Sequence, residues 1–117
     1  MIPAGFERDW QAAWNAHDLE RILGHYAENV VFRSEKAVAT IGQGTVAGKA
    51  ALRAYWSAAL ARQPDLAFSV EEVFRGHEML VIVYSNHAGR RAAETLRFNA
   101  EGEVVEASAC HDAGDFT

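Results

Sequence analysis

The chain has 117 residues, of which 50% are hydrophobic and 23% are charged, and this composition predicts one globular domain over residues 1–117 and argues against disorder. The formal net charge of −5, with both signs interspersed, argues against nucleic acid and membranes as partners. The single cysteine, Cys110, excludes an internal disulfide and is typical of a reducing compartment, so we expect a cytoplasmic protein.

Two helices are predicted near the N-terminus. Apolar side chains recur at intervals of three and four over residues 6–17, which is the period of an amphipathic helix, and its apolar face carries Trp10 and Trp14. Asp18 is a favoured N-cap residue for a second, short helix. The inward face of this second helix is predicted to consist of Leu19, Ile22, Leu23 and Tyr26.

A first strand and a third helix are expected next. Glu28 and Asn29 are expected to turn the chain into a strand that begins at residues 30–32. Residues 34–46 combine two glycines with small and polar residues, which predicts a loop or an irregular edge segment. An alanine-rich run from residue 48 or 49 to residue 62 predicts the third helix, which the following Gln-Pro pair ends.

The second half of the chain has the pattern of a sheet. Beyond residue 64, β-branched and aromatic residues recur with period two, and short turn segments between the runs favour consecutive antiparallel hairpins. Three helices before a four-strand meander predict an α+β fold in which helices cover one face of the sheet. Met79 to Tyr84 is apolar at both odd and even positions, which indicates that both faces of this strand are buried. We therefore expect a second copy to cover the other face, in a homodimer through the sheet. The four predicted strands are residues 66–74, 79–87, 92–99 and 103–111.

Several motifs of known chemistry are not found. The glycine-rich segment 42–49 differs from a phosphate loop, because Gln43 stands where that loop needs glycine and Ala50 replaces the hydroxyl that binds magnesium. The five histidines show no i, i+4 pair and no cysteine at ligand spacing, so we expect neither a metal site nor a cofactor. Cys110 and His111 point to opposite faces of a strand, and Cys110 is expected to be a small buried residue of the outer face.

The order of the elements and four sequence segments resemble the nuclear transport factor 2-like superfamily, and most closely its SnoaL-like branch. The segments are AHDLERILGHYAENVVF, GKAALRAYW, EVFRGHEMLVIVYSN and ETLRFNAEGEVVEASACH. The resemblance implies a cone made from a strongly curved antiparallel sheet and three helices, which encloses an apolar pocket and commonly dimerises through the sheet. The same fold serves ketosteroid isomerase, scytalone dehydratase and polyketide cyclases, so it does not define one chemistry.

Ketosteroid isomerase offers a sharper comparison. In that branch a tyrosine and an aspartic acid form an oxyanion hole and another aspartate moves the proton, and these positions match Trp10, Glu94 and Ser34 in this chain. At the position of the oxyanion-hole acid this chain also has an acid, Glu94. At the position of the proton-transferring aspartate it has Ser34, which is not a base, and this argues against steroid isomerisation. The supporting tyrosines match Tyr26 and Trp56, which implies an aromatic, partly polar pocket floor.

Glu94 and His111 are the candidate catalytic residues. Period two places Glu94 on one strand face with apolar neighbours, where loss of hydration raises the pKa of a carboxyl toward the range useful for proton transfer. The match to ketosteroid isomerase implies that His111 points inward with Ala107 and Ala109 and shares the pocket with Glu94. Each candidate also has a structural interpretation, Glu94 as a carboxylate paired with Trp10 or a histidine for packing and His111 as a strand end.

The predicted function is the binding of a small, mostly apolar or aromatic molecule in a pocket of at least ~300 Å³. Three interpretations stay open: a metal-free acid/base enzyme of the isomerase, cyclase or hydrolase type, a non-catalytic ligand-binding or dimerisation module, and a scaffold whose cone is filled by its own side chains. Tyr84 and Asn86 share a strand face, which is either the pocket or the dimer surface. The expected pocket residues are Trp10, Trp14, Tyr26, Phe32, Tyr55, Trp56, Leu96, Phe98, Ala107 and Ala109.

Overall fold

A computed structural model describes residues 1–116, and in it helices cover one face of a curved sheet. The four α-helices of this part of the chain are α1 (Phe6–Asn15), α2 (Leu19–Leu23), α3 (Glu35–Ile41) and α4 (Lys49–Arg62). The six strands are β1 (Tyr26–Ser34), β2 (Thr45–Ala47), β3 (Phe68–Gly76), β4 (Met79–Asn86), β5 (Arg91–Phe98) and β6 (Val104–His111). A 3₁₀ helix, Ala113–Phe116, follows β6.

The six strands form one sheet in the order β2-β1-β6-β5-β4-β3. Strands β3 to β6 pair as consecutive antiparallel hairpins, which confirms the predicted meander and the α+β fold. Strand β1 pairs with β6 in parallel and with β2 antiparallel. The parallel pair joins the first half of the chain to the last strand, so residues far apart in sequence meet on one inner face of the sheet.

The segment predicted as a loop, residues 34–46, instead contains the helix α3 and most of the strand β2. Helix α3 buries Ala37 against the core and ends at Gly42, whose φ of 80° is the left-handed conformation that suits a residue beyond a helix end. Exposed Val38 and Ile41 break the amphipathic pattern, which explains why periodicity did not reveal this helix.

The first strand starts earlier than expected. Helix α2 ends at Leu23, so Tyr26 is the first residue of β1 rather than part of a helix face, and its ring is fully buried. Glu28 and Asn29 do not turn the chain. They are exposed residues inside β1, where its register against β6 shifts between Tyr26 and Val31.

Helix α1 is fixed to the free edge of the sheet by two amide side chains. Asn15 accepts from the backbone N–H of Phe68 at 2.7 Å and donates Nδ2 to the carbonyl of the same residue at 3.0 Å. Gln11 accepts from the backbone N–H of Val70 at 2.7 Å. These contacts occupy backbone groups of the edge strand β3, and they hold the tryptophan face of α1 over the inner face of the sheet.

The core lies between the helices and this inner face. The largest fully buried side chains include Trp10 of α1, Leu52 of α4 and Leu96 of β5. None of the helices in the described residues is long and apolar enough to cross a membrane.

Candidate functional site

The inner face of the sheet brings the two candidate catalytic residues together. Glu94 on β5 pairs with Ala109 on β6, and His111 lies two residues further along β6 on the same face. Diagonal neighbours of this kind have Cα atoms ~7–8 Å apart, within reach of long side chains. Ala109 and Ala92 occupy the positions between the larger side chains, and their small size leaves space above the sheet.

This space is a cavity of about 130 Å³ between the sheet, α1 and α4. It is smaller than the ~300 Å³ expected of a small-molecule pocket, because tryptophan side chains fill part of the cone. Its lining residues are Trp10, Trp14, Phe32, Ser34, Lys36, Tyr55, Trp56, Ala59, Gln63, Leu66, Phe68, Tyr84, Asn86, Glu94, Ala109 and His111.

Seven phenylalanine, tyrosine and tryptophan residues line the cavity. Trp10 stacks on Phe68 with ring centroids 5.4 Å apart, and Phe68 lies 4.7 Å from the ring of Tyr84. Trp14 meets Trp56 edge to face at 5.0 Å. Flat, weakly polar surfaces of this kind are suited to an apolar or aromatic ligand.

Glu94 is the only acidic residue that lines the cavity in the described chain, and its side chain is 5% exposed. Burial raises the pKa of Glu94 to about 8, although the hydrogen bond from Tyr84 acts in the opposite direction. The phenol of Tyr84 donates to Oε1 of Glu94 at 3.2 Å. At neutral pH the carboxyl is therefore protonated, and it can donate a hydrogen bond or a proton.

One buried polar group of the cavity wall is an unsatisfied donor, because the indole Nε1 of Trp14 has no hydrogen-bond partner within residues 1–116. Behind the wall, burial and nearby Glu94 raise the pKa of Tyr26 well above its usual value, while the side chain of Trp10 acts in the opposite direction, so the Tyr26 hydroxyl stays protonated. A buried donor without a partner is costly, so a ligand with an acceptor oxygen suits Trp14.

One end of the cavity reaches solvent. Lys36, Gln63, Asn86 and His111 are lining residues that are partly or fully exposed. Burial is the main cause that lowers the pKa of His111, and the charge of Lys36 lowers it further, whereas Asp115 acts in the opposite direction. His111 is thus neutral at neutral pH and can accept a proton.

Eight of the expected pocket and catalytic residues line the cavity. They are Trp10, Trp14, Phe32, Tyr55, Trp56, Glu94, Ala109 and His111. Four other expected pocket residues do not line the cavity, because the helices pack directly on them or on neighbouring core side chains. They are buried core residues: Tyr26, Leu96, Phe98 and Ala107.

The structure also settles two questions of orientation. Tyr84 and Asn86 both line the cavity, so their strand face is the inner one. Cys110 is exposed, and the expectation that it is buried was wrong, because no element within residues 1–116 covers the outer face of β6. Lining residues that sequence reasoning missed include Lys36 on α3, a helix that was not predicted, and Phe68, for which only the strand alternation offered a signal.

The titratable groups of the site do not form a metal centre. No group of three or more His, Cys, Asp or Glu side chains within residues 1–116 has an arrangement that could hold a metal ion. What the site combines is a protonated carboxyl and a neutral imidazole beside an aromatic cavity. This pair can give and take a proton at the same pH.

The raised pKa of Glu94 predicts a pH-dependent stability. Between pH 4.5 and 8 the folded chain holds a proton that the unfolded chain releases, so the free energy of unfolding falls as pH rises, by at most ~1.4 kcal/mol per pH unit. We expect Glu94→Gln to lose this slope in urea unfolding measured from pH 5 to pH 8. Glu106→Gln on the exposed outer face is the control and keeps it. If the free energy of unfolding changed with pH by the same amount in wild type and in Glu94→Gln, the raised pKa of Glu94 would be contradicted.

Comparisons with known proteins agree with the fold. A SnoaL-like protein of unknown function from Burkholderia thailandensis is 38% identical, with 92% of each chain covered and a TM-score of 0.89. AclR from Streptomyces galilaeus is 22% identical over 92% of this chain and 86% of its own, with a TM-score of 0.73. An NTF2-like protein of unknown function from Cytophaga hutchinsonii is 13% identical over 99% of this chain and 96% of its own, and its TM-score is also 0.73.

The search of curated proteins found no significant match. The model of the SnoaL-like domain matches residues 8–111, which span all six strands and nearly all of the first helix. Its fold is similar to that of NTF2-like proteins, and the chain belongs to the SnoaL-like domain family.

Proposed function

We propose that this protein binds a small, mostly apolar carbonyl compound in the cavity and isomerises it by proton transfer, with Glu94 as the acid and His111 as the base. The observation that carries the proposal is a buried carboxyl whose pKa of about 8 keeps it protonated beside an aromatic cavity. A neutral acid in a dry site stabilises the negative charge that develops on a carbonyl oxygen.

The proposed step conserves atoms and charge. The imidazole of His111 removes a proton from the carbon next to the carbonyl, while Glu94 donates its proton to the carbonyl oxygen. The product is an enol, with an imidazolium and a carboxylate left on the protein. When the substrate is a β,γ-unsaturated carbonyl compound, this enol is a dienol. The imidazolium of His111 then returns its proton to the γ carbon, and the dienol hydroxyl returns its proton to Glu94. The product is the α,β-unsaturated isomer, both residues are restored, and no oxidant or reductant is required.

The size and polarity of the cavity support a small ligand with acceptor oxygens. A volume of about 130 Å³ is close to the ~150 Å³ of an apolar cavity that admits benzene. Two donors of the cavity wall, protonated Glu94 and the indole of Trp14, lack a described acceptor for a hydrogen. A single-ring ketone satisfies both conditions.

Exchange of the α-protons of acetophenone in D₂O, followed by ¹H NMR, tests the proposal. We expect the protein to accelerate exchange, and we expect Glu94→Gln to reduce the protein-dependent rate by ~10²–10⁴-fold, the usual contribution of a general acid. Glu106→Gln is a matched control, because its carboxylate is paired with Arg97 on the outer face at 2.8 Å. Equal rates in wild type and Glu94→Gln would contradict the role of Glu94.

A second candidate function is ligand binding without catalysis. It is favoured by Ser34, which lines the cavity where the ketosteroid isomerase match requires a carboxylate base. A binding module gives saturable quenching of tryptophan fluorescence by acetophenone with no acceleration of exchange. That result would replace the enzymatic proposal by the binding one.

We also propose that the protein is a homodimer through the outer face of the sheet. Phe74 on β3 is 57% exposed, and register pairs it with Val81 on β4, which faces outward beside Thr95. Val83 and Cys110 extend the same face through Ala93. These apolar residues share the outer face with exposed Glu72, Arg97 and Glu106. No described element of the chain covers this face, and the same face of a second copy suits it in a two-fold symmetric dimer.

The outer-face dimer predicts that a charge at its centre separates the two copies. We expect wild type to sediment as a dimer and Val81→Glu to sediment as a monomer, because the new carboxylate would lose its hydration in the interface. Val38→Glu is the matched control, since Val38 is 43% exposed on α3, away from this face. A monomeric wild type at the same concentration would exclude the dimer.

A further inference from the structure

Lys36 is the one Lys or Arg side chain on the cavity wall within residues 1–116. It is half-buried, and no acidic group of the described chain lies within ion-pair distance of it. The only other lysine, Lys49, lies 4.0 Å from the carboxylate of Glu28. A half-buried lysine without an ion-pair partner at a cavity mouth is an unused anion site.

The other ionisable groups on the wall do not neutralise Lys36. Glu94 is protonated at neutral pH, and Tyr55 and Tyr84 have raised pKa values, mainly because of burial, so all three are uncharged. The charge of Lys36 lowers the pKa of His111. Asp115, whose charge acts on His111 against that of Lys36, lies outside the cavity wall and is paired with Arg90.

The charged and neutral polar groups lie at different depths. Lys36 is on the partly exposed end of the wall, whereas Glu94 is 5% exposed. Ser34, at the end of β1, is aligned with Ala109 and through it with Glu94, which places its backbone two strand spacings, ~10 Å, from that of Glu94. Lys36 follows Ser34 by two residues, in the first turn of α3.

We propose that the natural ligand is a small single-ring acid, whose carboxylate binds Lys36 at the cavity mouth and whose carbonyl oxygen points inward to Glu94. The inference rests on the proposed function, because it specifies the substrate class of that same site. Lys36 then orients the ligand, so that the acceptor end reaches the protonated acid. It takes no part in the proton transfer itself.

Matched probes test this inference at pH 6.5, where benzoic acids are ionised. The probes are 4-acetylbenzoate, its neutral isostere 4-acetylbenzamide, and acetophenone, each titrated by tryptophan fluorescence and calorimetry. We expect wild type to bind the acid at least tenfold more tightly than the amide. Lys36→Met should abolish this preference without weakening the amide, Lys36→Arg should retain it, and Lys49→Met, which removes the same charge elsewhere, should leave it unchanged.

The outcomes separate the two proposals. If the acid and the amide bind wild type equally, or if Lys36→Met and Lys49→Met behave alike, the anion site is overturned, while binding of acetophenone still supports the proposed function. If none of the three probes binds, the proposed function fails and the anion site fails with it. Unchanged amide binding by Lys36→Met shows that the cavity of the variant is intact.

Discussion

The burial of one carboxyl, that of Glu94, is the constraint on which the site depends. An ionised carboxylate among aromatic rings loses its hydration and gains no cation in return, so the neutral form is favoured and the pKa rises to about 8. Tyr84 donates one hydrogen bond to Oε1, which is too little to restore the ionised form. The fold thus maintains an acid that remains protonated in neutral solution.

The surrounding residues follow from this constraint. Small residues beside Glu94 on the sheet, Ala109 and Ala92, leave room for a ligand where bulkier side chains would fill the cone. Burial has the opposite effect on the imidazole of His111, whose pKa falls. One physical cause therefore prepares both an acid and a base, because loss of hydration disfavours the charged form of each. Lys36 adds a basic side chain at the solvent end of the cavity.

Much of the fold and part of the site could be predicted from the sequence. Period two in the last four strands identified the meander and placed Glu94 among apolar neighbours, because alternation reports directly on which face is buried. It could not orient Tyr84 and Asn86, since β4 is apolar on both of its faces. Lys36 was missed because α3 is one short helix with exposed apolar residues, and a weakly amphipathic segment of seven residues resembles a loop.

Other features depend on packing that spacing does not encode. The parallel pairing of β1 with β6 joins distant segments, and no local signal marks it. Tyr26 was assigned to a helix because its spacing from Ile22 and Leu23 suits one, whereas the strand ladder begins at that residue. The cavity volume of about 130 Å³ is set by the rotamers of the tryptophans, which fill part of the cone.

Direct titration of Glu94 tests the central claim most simply. In protein labelled with ¹³C at the glutamate carboxyl, the Glu94 resonance can be assigned by its absence from Glu94→Gln and followed from pH 3 to pH 10. A midpoint near 8 is the result expected of a buried, protonated acid. A midpoint near the ordinary value of 4.5 would show that the carboxyl is ionised at neutral pH, and the proposed acid chemistry would be wrong.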